Sequence, residues 1–353
     1  MTGLAPYRAT SARVDGSFAP GAALAIHSRS SATIRELLSM NMTRNSSATL
    51  TNTAVLSPSR AGLRWGLLGV VAFSFTVPFT RVAVGGMSPL FIGSARAVIA
   101  ALLAAAALAI TKQRLPRGIQ WGRLAIVAGG VVVGFPVLTS FALTTAPASH
   151  GAVVIALLPA ATAVMAVLRG HERPPMSFWT MATVGAFAAF VFAALQGGGL
   201  SGLHWSDLLL FGAVVAAAIG YAEGGLLARE LGAWQTVSWA LVLSAPLMIV
   251  LAGIAMARQP PSGAPIEWAA FAYLAVVSMF LGFFAWYRGL AIGPMVQVSQ
   301  VQLVQPVMSI CWAALFLHEQ LTWPTILGGI VVIGCAGIAV RARLGQTASA
   351  GKN

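Results

Sequence analysis

Two stretches, LLPAATAVMAVLRGHERP at residues 157–174 and VQPVMSICWAALFLHEQL at 304–321, lie over each other at an offset of 147. Pro159 falls on Pro306, His171 on His318 and Glu172 on Glu319. Just upstream, Leu143 falls on Leu290 and Pro147 on Pro294. Chance supplies one or two such identities, but not easily five at one offset. Each copy is an apolar run with a proline inside it and a His-Glu pair at its end. A run of that kind reads as a membrane-crossing helix followed by a short connection. The chain is therefore internally duplicated. Earlier segments match less clearly, with a shift nearer 144, so the connections of the two halves differ in length.

Outward from this pair, the apolar runs between Gly62 and Arg341 divide into ten: 62–80, 89–111, 124–143, 149–168, 177–196, 206–228, 234–257, 267–287, 295–317 and 323–340. Each is close to the ~20 residues that cross ~30 Å of hydrocarbon at 1.5 Å per residue. Hydrocarbon offers no partner to backbone polar groups, so each run is expected to be a helix. The composition agrees: 58% of residues are hydrophobic and only 8% charged, too few to wet the surface of a soluble domain. The 37 glycines suit helices that pack closely in lipid. A net charge of +13 would point to nucleic acid in a soluble chain, but here the basic residues sit between apolar runs as topology signals. With the N-terminus inside, the inner connections hold Lys112, Arg114, Arg117, Arg123, Arg169, Arg173, Arg229 and Arg288, and the outer ones only Arg81 and Arg258. Both termini are thereby expected in the cytoplasm.

Ten runs in two copies make five per copy. Five is odd, so the copies cross the membrane in opposite senses. The expected fold is an all-α integral membrane protein with ten transmembrane helices as two inverted five-helix repeats, at 60–200 and 201–343, in the cytoplasmic membrane. Inverted repeats are the build of many secondary transporters, where the halves exchange conformations around a shared midplane site. Residues 1–59 differ, with ten Ser, seven Thr and no run long enough to span. They read as a disordered tail, as the product of an early start with Met40 or Met42 as alternatives, or as a transit peptide. Residues 344–353 form a C-terminal tail.

Several residues are candidates for the substrate path. Pro159 and Pro306 interrupt the fourth and ninth runs at matching positions, which points to a hinge or cavity wall, or to packing shape alone. The ninth run carries Gln297, Gln300 and Gln305, and the offset lays His150 on Gln297. Amides and imidazole avoid lipid, so they face either a cavity or a neighbouring helix. Arg96 lies about a third of the way into the second run. A charge there faces the protein interior, where it holds a substrate carboxylate or ties helix ends through carbonyls. Glu223, in the sixth run, is a candidate for proton coupling or for an ion pair. Tyr221 beside it and Trp286, with Phe283 and Phe284, are candidates for the cavity wall. Glu172 and Glu319 follow helix ends and read as caps or loop anchors. No metal-ligand spacing, nucleotide-binding loop or catalytic triad is present, and Cys311 and Cys335 both fall in apolar runs. No cofactor is expected.

Further residues carry a resemblance. Ser88-Pro89 opens the second run with Arg96 inside it, and Leu143…Pro159…Glu172 is echoed by Tyr287-Arg288-Gly289-Leu290…Pro306…Glu319, then Leu327-Gly328-Gly329…Gly334. The pattern resembles the EamA family of the drug/metabolite transporter superfamily over about residues 62–341. Two departures stand out: Phe73-Ser74 where family members often carry Trp-Gly, and Ala97 where an aromatic often follows the arginine. The resemblance implies ten helices, a central cavity walled by both halves, and export of amino acids or related metabolites. A membrane-embedded enzyme would need acids, His or Cys clustered at one face, and a scaffold would need a sizeable soluble domain. The partners expected are a small-molecule substrate and membrane lipid, with neither nucleic acid nor nucleotide.

Overall fold

The structure, a computed structural model, describes residues 58–170, 175–196, 204–292 and 301–350; among these there are helices and short connections, and no strand. Among the described residues, eight helices are long and apolar enough to cross a membrane: α1 Ala61–Ala83, α2 Pro89–Ile110, α3 Gln120–Ala142, α4 Ala148–Arg169, α5 Met176–Leu195, α6 Trp205–Leu231, α7 Ala233–Arg258 and α8 Pro265–Gly289. Two shorter apolar helices follow, α9 Val304–Leu317 and α10 Trp323–Ile338. All ten fall on the ten apolar runs, but α9 is shorter than its run. The start of that run, with Gln297 and Gln300, lies outside the described residues.

Helix ends follow local chemistry. Ser88 caps α2 by accepting the Phe91 N–H at 3.2 Å, and Pro89 takes the first-turn position, where a missing N–H costs nothing. Asp207 accepts the His204 N–H at 2.9 Å at the start of α6, and Pro265 opens α8 in the same manner as Pro89.

The irregular turns are more informative. α1 is interrupted between Pro58–Ser74 and Thr76–Ala83. Pro78 has no N–H, so the Ser74 carbonyl loses its partner one turn on. The Ser309 hydroxyl on α9 donates to that carbonyl at 2.7 Å, and the Trp312 indole donates to Ser74 Oγ at 2.9 Å. Phe75 stacks on Trp312 with centroids 4.7 Å apart. A proline on one helix is thus answered by a serine on another, and α1 is glued to α9. Replacing Ser309 with Ala should cost about 1–2 kcal/mol, since it leaves a buried carbonyl unpaired. Thermal melting of the purified protein reads this, and an unchanged midpoint would mean that the carbonyl has found another donor.

Other irregularities come in pairs. α3 contains a π-helical segment at Ala128–Gly134, and α8 contains one at Leu274–Leu281, close to one repeat length away. α4 breaks at 156–157, just before Pro159, and the ninth run breaks at 302–303, just before Pro306. The packing is paired too. α2 lies along α7 and α5 along α10; α1 lies along α8 and α3 along α6; α4 meets α6 and α9 meets α1. Exchanging each helix of the first half for its counterpart in the second maps these pairings onto one another. Both crossings α3–α6 and α1–α8 depend on glycine. A Cβ on Gly130 would lie 2.3 Å from the Ala216 carbonyl oxygen, and one on Gly289 would lie 2.6 Å from the Gly66 nitrogen.

Candidate functional site

A cavity of about 30 Å³ lies at the centre of the bundle. Seven helices wall it: Phe73 and Thr76 come from α1, Arg96 from α2, Phe135 from α3, Leu158 from α4, Tyr221 from α6, Ser278 and Phe283 from α8, and Gln305 from α9. Space of that size holds one or two waters. The wall is mostly apolar, with a few convergent polar groups. Thr76 Oγ1 and Ser278 Oγ share a hydrogen bond at 2.7 Å.

Arg96 is the unusual member. It is 1% exposed, and its Nε and Nη2 atoms make no hydrogen bond among the described residues. Gln305 Oε1 on the same wall is also buried without a partner. A buried guanidinium with idle donors is expensive in any protein interior and more so within a membrane. The helix geometry holds it there. Ser88 fixes the start of α2 two turns earlier, and Gly93 lets Val137 of α3 approach so closely that a Cβ would sit 2.9 Å from its Cα.

A smaller space of about 10 Å³ adjoins this one, lined by Pro159 of α4 and by Gln302, Gln305, Pro306 and Ser309. Gln305 borders both. The prolines that the duplication singles out therefore meet across a single space beside the central cavity.

At one end of the bundle, Glu223 of α6 is 2% exposed and accepts hydrogen bonds from Arg123 of α3 and Arg169 of α4. Arg123 also reaches Glu230. Three helices are thereby tied at this end. At the opposite end, a polar cavity of about 330 Å³ is lined by Thr145, Ser149, His150, His204, Asp207 and Glu319, among others. His150 Nε2 lies 2.7 Å from Asp207 Oδ1, and the imidazole stacks on Phe192 at 5.0 Å. Glu319 accepts the Ala148 and Ser149 N–H groups at 2.7 and 2.8 Å, a carboxylate at a helix N-terminus. Glu319 follows the end of α9 but caps the start of another helix, α4.

The candidates thus divide. Arg96, Tyr221 and Gln305 share the central cavity. His150 lies in the end cavity instead, paired with Asp207. Glu223 sits in the ion-pair cluster. Trp286 is buried at 3% exposure and packs on α1 at Gly69, behind the cavity wall rather than on it. Gln297, Gln300 and Glu172 lie outside the described residues. Sequence reasoning passed over Asp207, Arg123 and Arg169 as site residues, and Thr76 and Ser278 altogether. Acids are so scarce here, eight in the chain, that each one inside an apolar run was a signal to look for its partner.

The EamA-like transporter family matches the chain twice, over residues 60–194 and 204–340. The chain is 44% identical over 279 residues to the uncharacterized transporter YdeK of Bacillus subtilis (strain 168), covering 78% of this chain and 96% of that protein. A solved structure described as "Crystal structure of protein" covers 81% of this chain and 98% of its own, at 18% identity and a TM-score of 0.56, a likeness of fold alone. The family match falls on both halves of the bundle, in which eight of the described helices are long and apolar, and each half contributes walls to the central cavity. The chain belongs to the EamA-like transporter family and is a multi-pass membrane transporter.

Proposed function

We propose that the chain is a secondary transporter of the cytoplasmic membrane that exports amino acids or related small metabolites through the central cavity, with Arg96 holding the substrate carboxylate. The observation that carries this reading is the buried guanidinium with two idle donors. A carboxylate accepts two parallel N–H bonds from that fork, and the pairing offsets the desolvation of both groups. The cavity as it stands has room only for water, so substrate binding requires its walls to move apart; Tyr221, Ser278 and Gln305 then supply the neutral polar contacts, and Phe73, Phe135 and Phe283 border the apolar body.

The proposed architecture is ten crossings in two inverted five-helix repeats, 60–200 and 201–343, with 1–59 and 344–353 as tails and both termini cytoplasmic. What supports it is the matched pair of π segments, the matched breaks before Pro159 and Pro306, and the packing pairs that exchange between halves. In this orientation the Arg123–Glu223–Arg169 cluster closes the cytoplasmic end. The cavity at His150 and Asp207 opens outward, and the two proline-broken helices are the moving walls.

Efflux of radiolabelled small carboxylates from vesicles holding the purified protein tests the function. Flux above protein-free vesicles for at least one amino acid or carboxylate metabolite is expected, and none across a broad set would overturn the reading. Reporter fusions after Arg117 and Arg341 should report the cytoplasm and one after Gly199 the outside. An external report from either of the first two would break the topology.

A further inference from the structure

The charges around the central cavity are countable, because the chain has only eight acids. Asp15 and Glu36 belong to the N-terminal segment, and Glu172 lies in the connection after α4. The other five are each engaged at a helix end or in the cytoplasmic-end cluster. Asp207 holds His150 and the His204 N–H. Glu223 holds Arg123 and Arg169, and Glu230 holds Arg123. Glu267 accepts the Ala264 N–H at the start of α8. Glu319 accepts two N–H groups at the start of α4. Among the described residues, none of these carboxylates lines the central cavity, and Arg96 is the charged group that does.

A site with one fixed positive charge and no negative one discriminates by ligand charge. A monoanion neutralises Arg96 and leaves no charge over. A zwitterion brings its own ammonium into the same low-dielectric space, where it meets only neutral oxygens: Gln305 Oε1 and the hydroxyls of Thr76, Ser278 and Tyr221. It also lies near Arg96, with which it repels. The idle Gln305 Oε1 needs a donor, which a hydroxyl or amide N–H gives without adding charge.

We propose that the transported species is a net monoanion, a small carboxylate whose other groups are uncharged, and that it moves alone down the membrane potential. The proposal rests on the reading of Arg96 as the carboxylate's partner and narrows it. No coupling ion is required. The described acids that could carry a proton are committed to arginines, a histidine or helix N-termini. The potential itself drives export, because an interior-negative membrane expels an anion. One charge across 100 mV is worth about 2.3 kcal/mol, or about a fifty-fold concentration ratio at equilibrium.

Matched pairs of probes test this with the full chain in proteoliposomes: lactate and alanine, α-hydroxyisocaproate and leucine, phenyllactate and phenylalanine. Within a pair, body and carboxylate are shared, and only hydroxyl and ammonium differ. Potassium gradients with valinomycin set the potential, and protein-free vesicles at the same pH subtract passive leak. The expected result is that the hydroxy acid of at least one pair moves at least tenfold faster than its amino acid. It should accumulate on the positive side, approaching fifty-fold at 100 mV. Equal or faster movement of the amino acids, accumulation indifferent to the potential, or no flux of any probe would overturn the proposal. An Arg96→Gln variant separates the two readings. Amino acid flux that this variant abolishes keeps Arg96 as the carboxylate's partner and sinks only the charge argument. Undiminished flux in the variant sinks both.

Discussion

Replacing Arg96 with Gln is expected to reduce transport at least about a hundred-fold, the loss that follows when one member of a desolvated charge pair is removed. The same change is expected to raise the melting temperature of the ligand-free protein by about one to three degrees. The two signs belong together. In the absence of substrate, Arg96 is a buried charge with two idle donors, so removing it relieves a desolvation cost. With substrate, the same group is the partner of the transported carboxylate. A residue kept for function at the expense of stability shows this opposition. A structural arginine would show the reverse, with a lower melting temperature and flux reduced only in proportion to folded protein. Arg96→Lys adds a finer reading. Lysine keeps the charge but loses the planar fork, so it should restore part of the maximal rate at a raised half-saturating concentration. Full flux in the Gln variant, or a fall in its melting temperature of several degrees, would remove Arg96 from the site.

How much of this was readable beforehand depends on which residues answer one another. Arg96, Tyr221 and Gln305 were legible because each places a polar group in an apolar run, and hydrocarbon leaves such a group only the interior to face. Pro159 and Pro306 were legible through the duplication. His150 was harder. Aligning it with Gln297 said that both positions are polar, but where an imidazole settles depends on its partner. Asp207 is 57 residues away, on a helix whose neighbour no periodicity names. The Ser74–Ser309 contact was hidden for the same reason. Pro78 announces a free carbonyl at Ser74, yet nothing in the chain says which hydroxyl answers it. The π segments of α3 and α8 are apolar stretches but for Ser278, and a helix with one extra residue per turn has the same composition as one without. Outside the ninth run, whose start is not among the described residues, the span limits agree to within four residues, because length and hydropathy alone decide them.

The second large effect is expected at Glu223. Its carboxylate is 2% exposed and takes Arg123 on one oxygen and Arg169 on the other, so α3, α4 and α6 meet on one side chain. Glu223→Gln keeps the shape but removes the charge, leaving both guanidinium groups facing a neutral amide. Breaking a buried pair from one side costs about 3–5 kcal/mol. The half-exposed Arg169 can turn to water, so the cost here should fall nearer about 2–3 kcal/mol. Arg123→Gln or Arg169→Gln alone should cost less, since Glu223 keeps one cation in each, and the two losses should not add, because both act through one carboxylate. The arginine double variant should come close to Glu223→Gln. Melting of the four variants in one detergent gives this comparison directly. Because α4 and α6 are tied at their opposite ends too, through His150 and Asp207, freeing the Glu223 end alone should let the two helices splay there while they stay joined at the other. A cysteine placed at Leu226, 40% exposed beside the cluster, then serves as a reporter. After Cys311 and Cys335 are replaced by Ala, its labelling by a water-soluble maleimide should rise several-fold in Glu223→Gln. Unchanged labelling together with an unchanged melting temperature would mean that the cluster does not hold the helix ends.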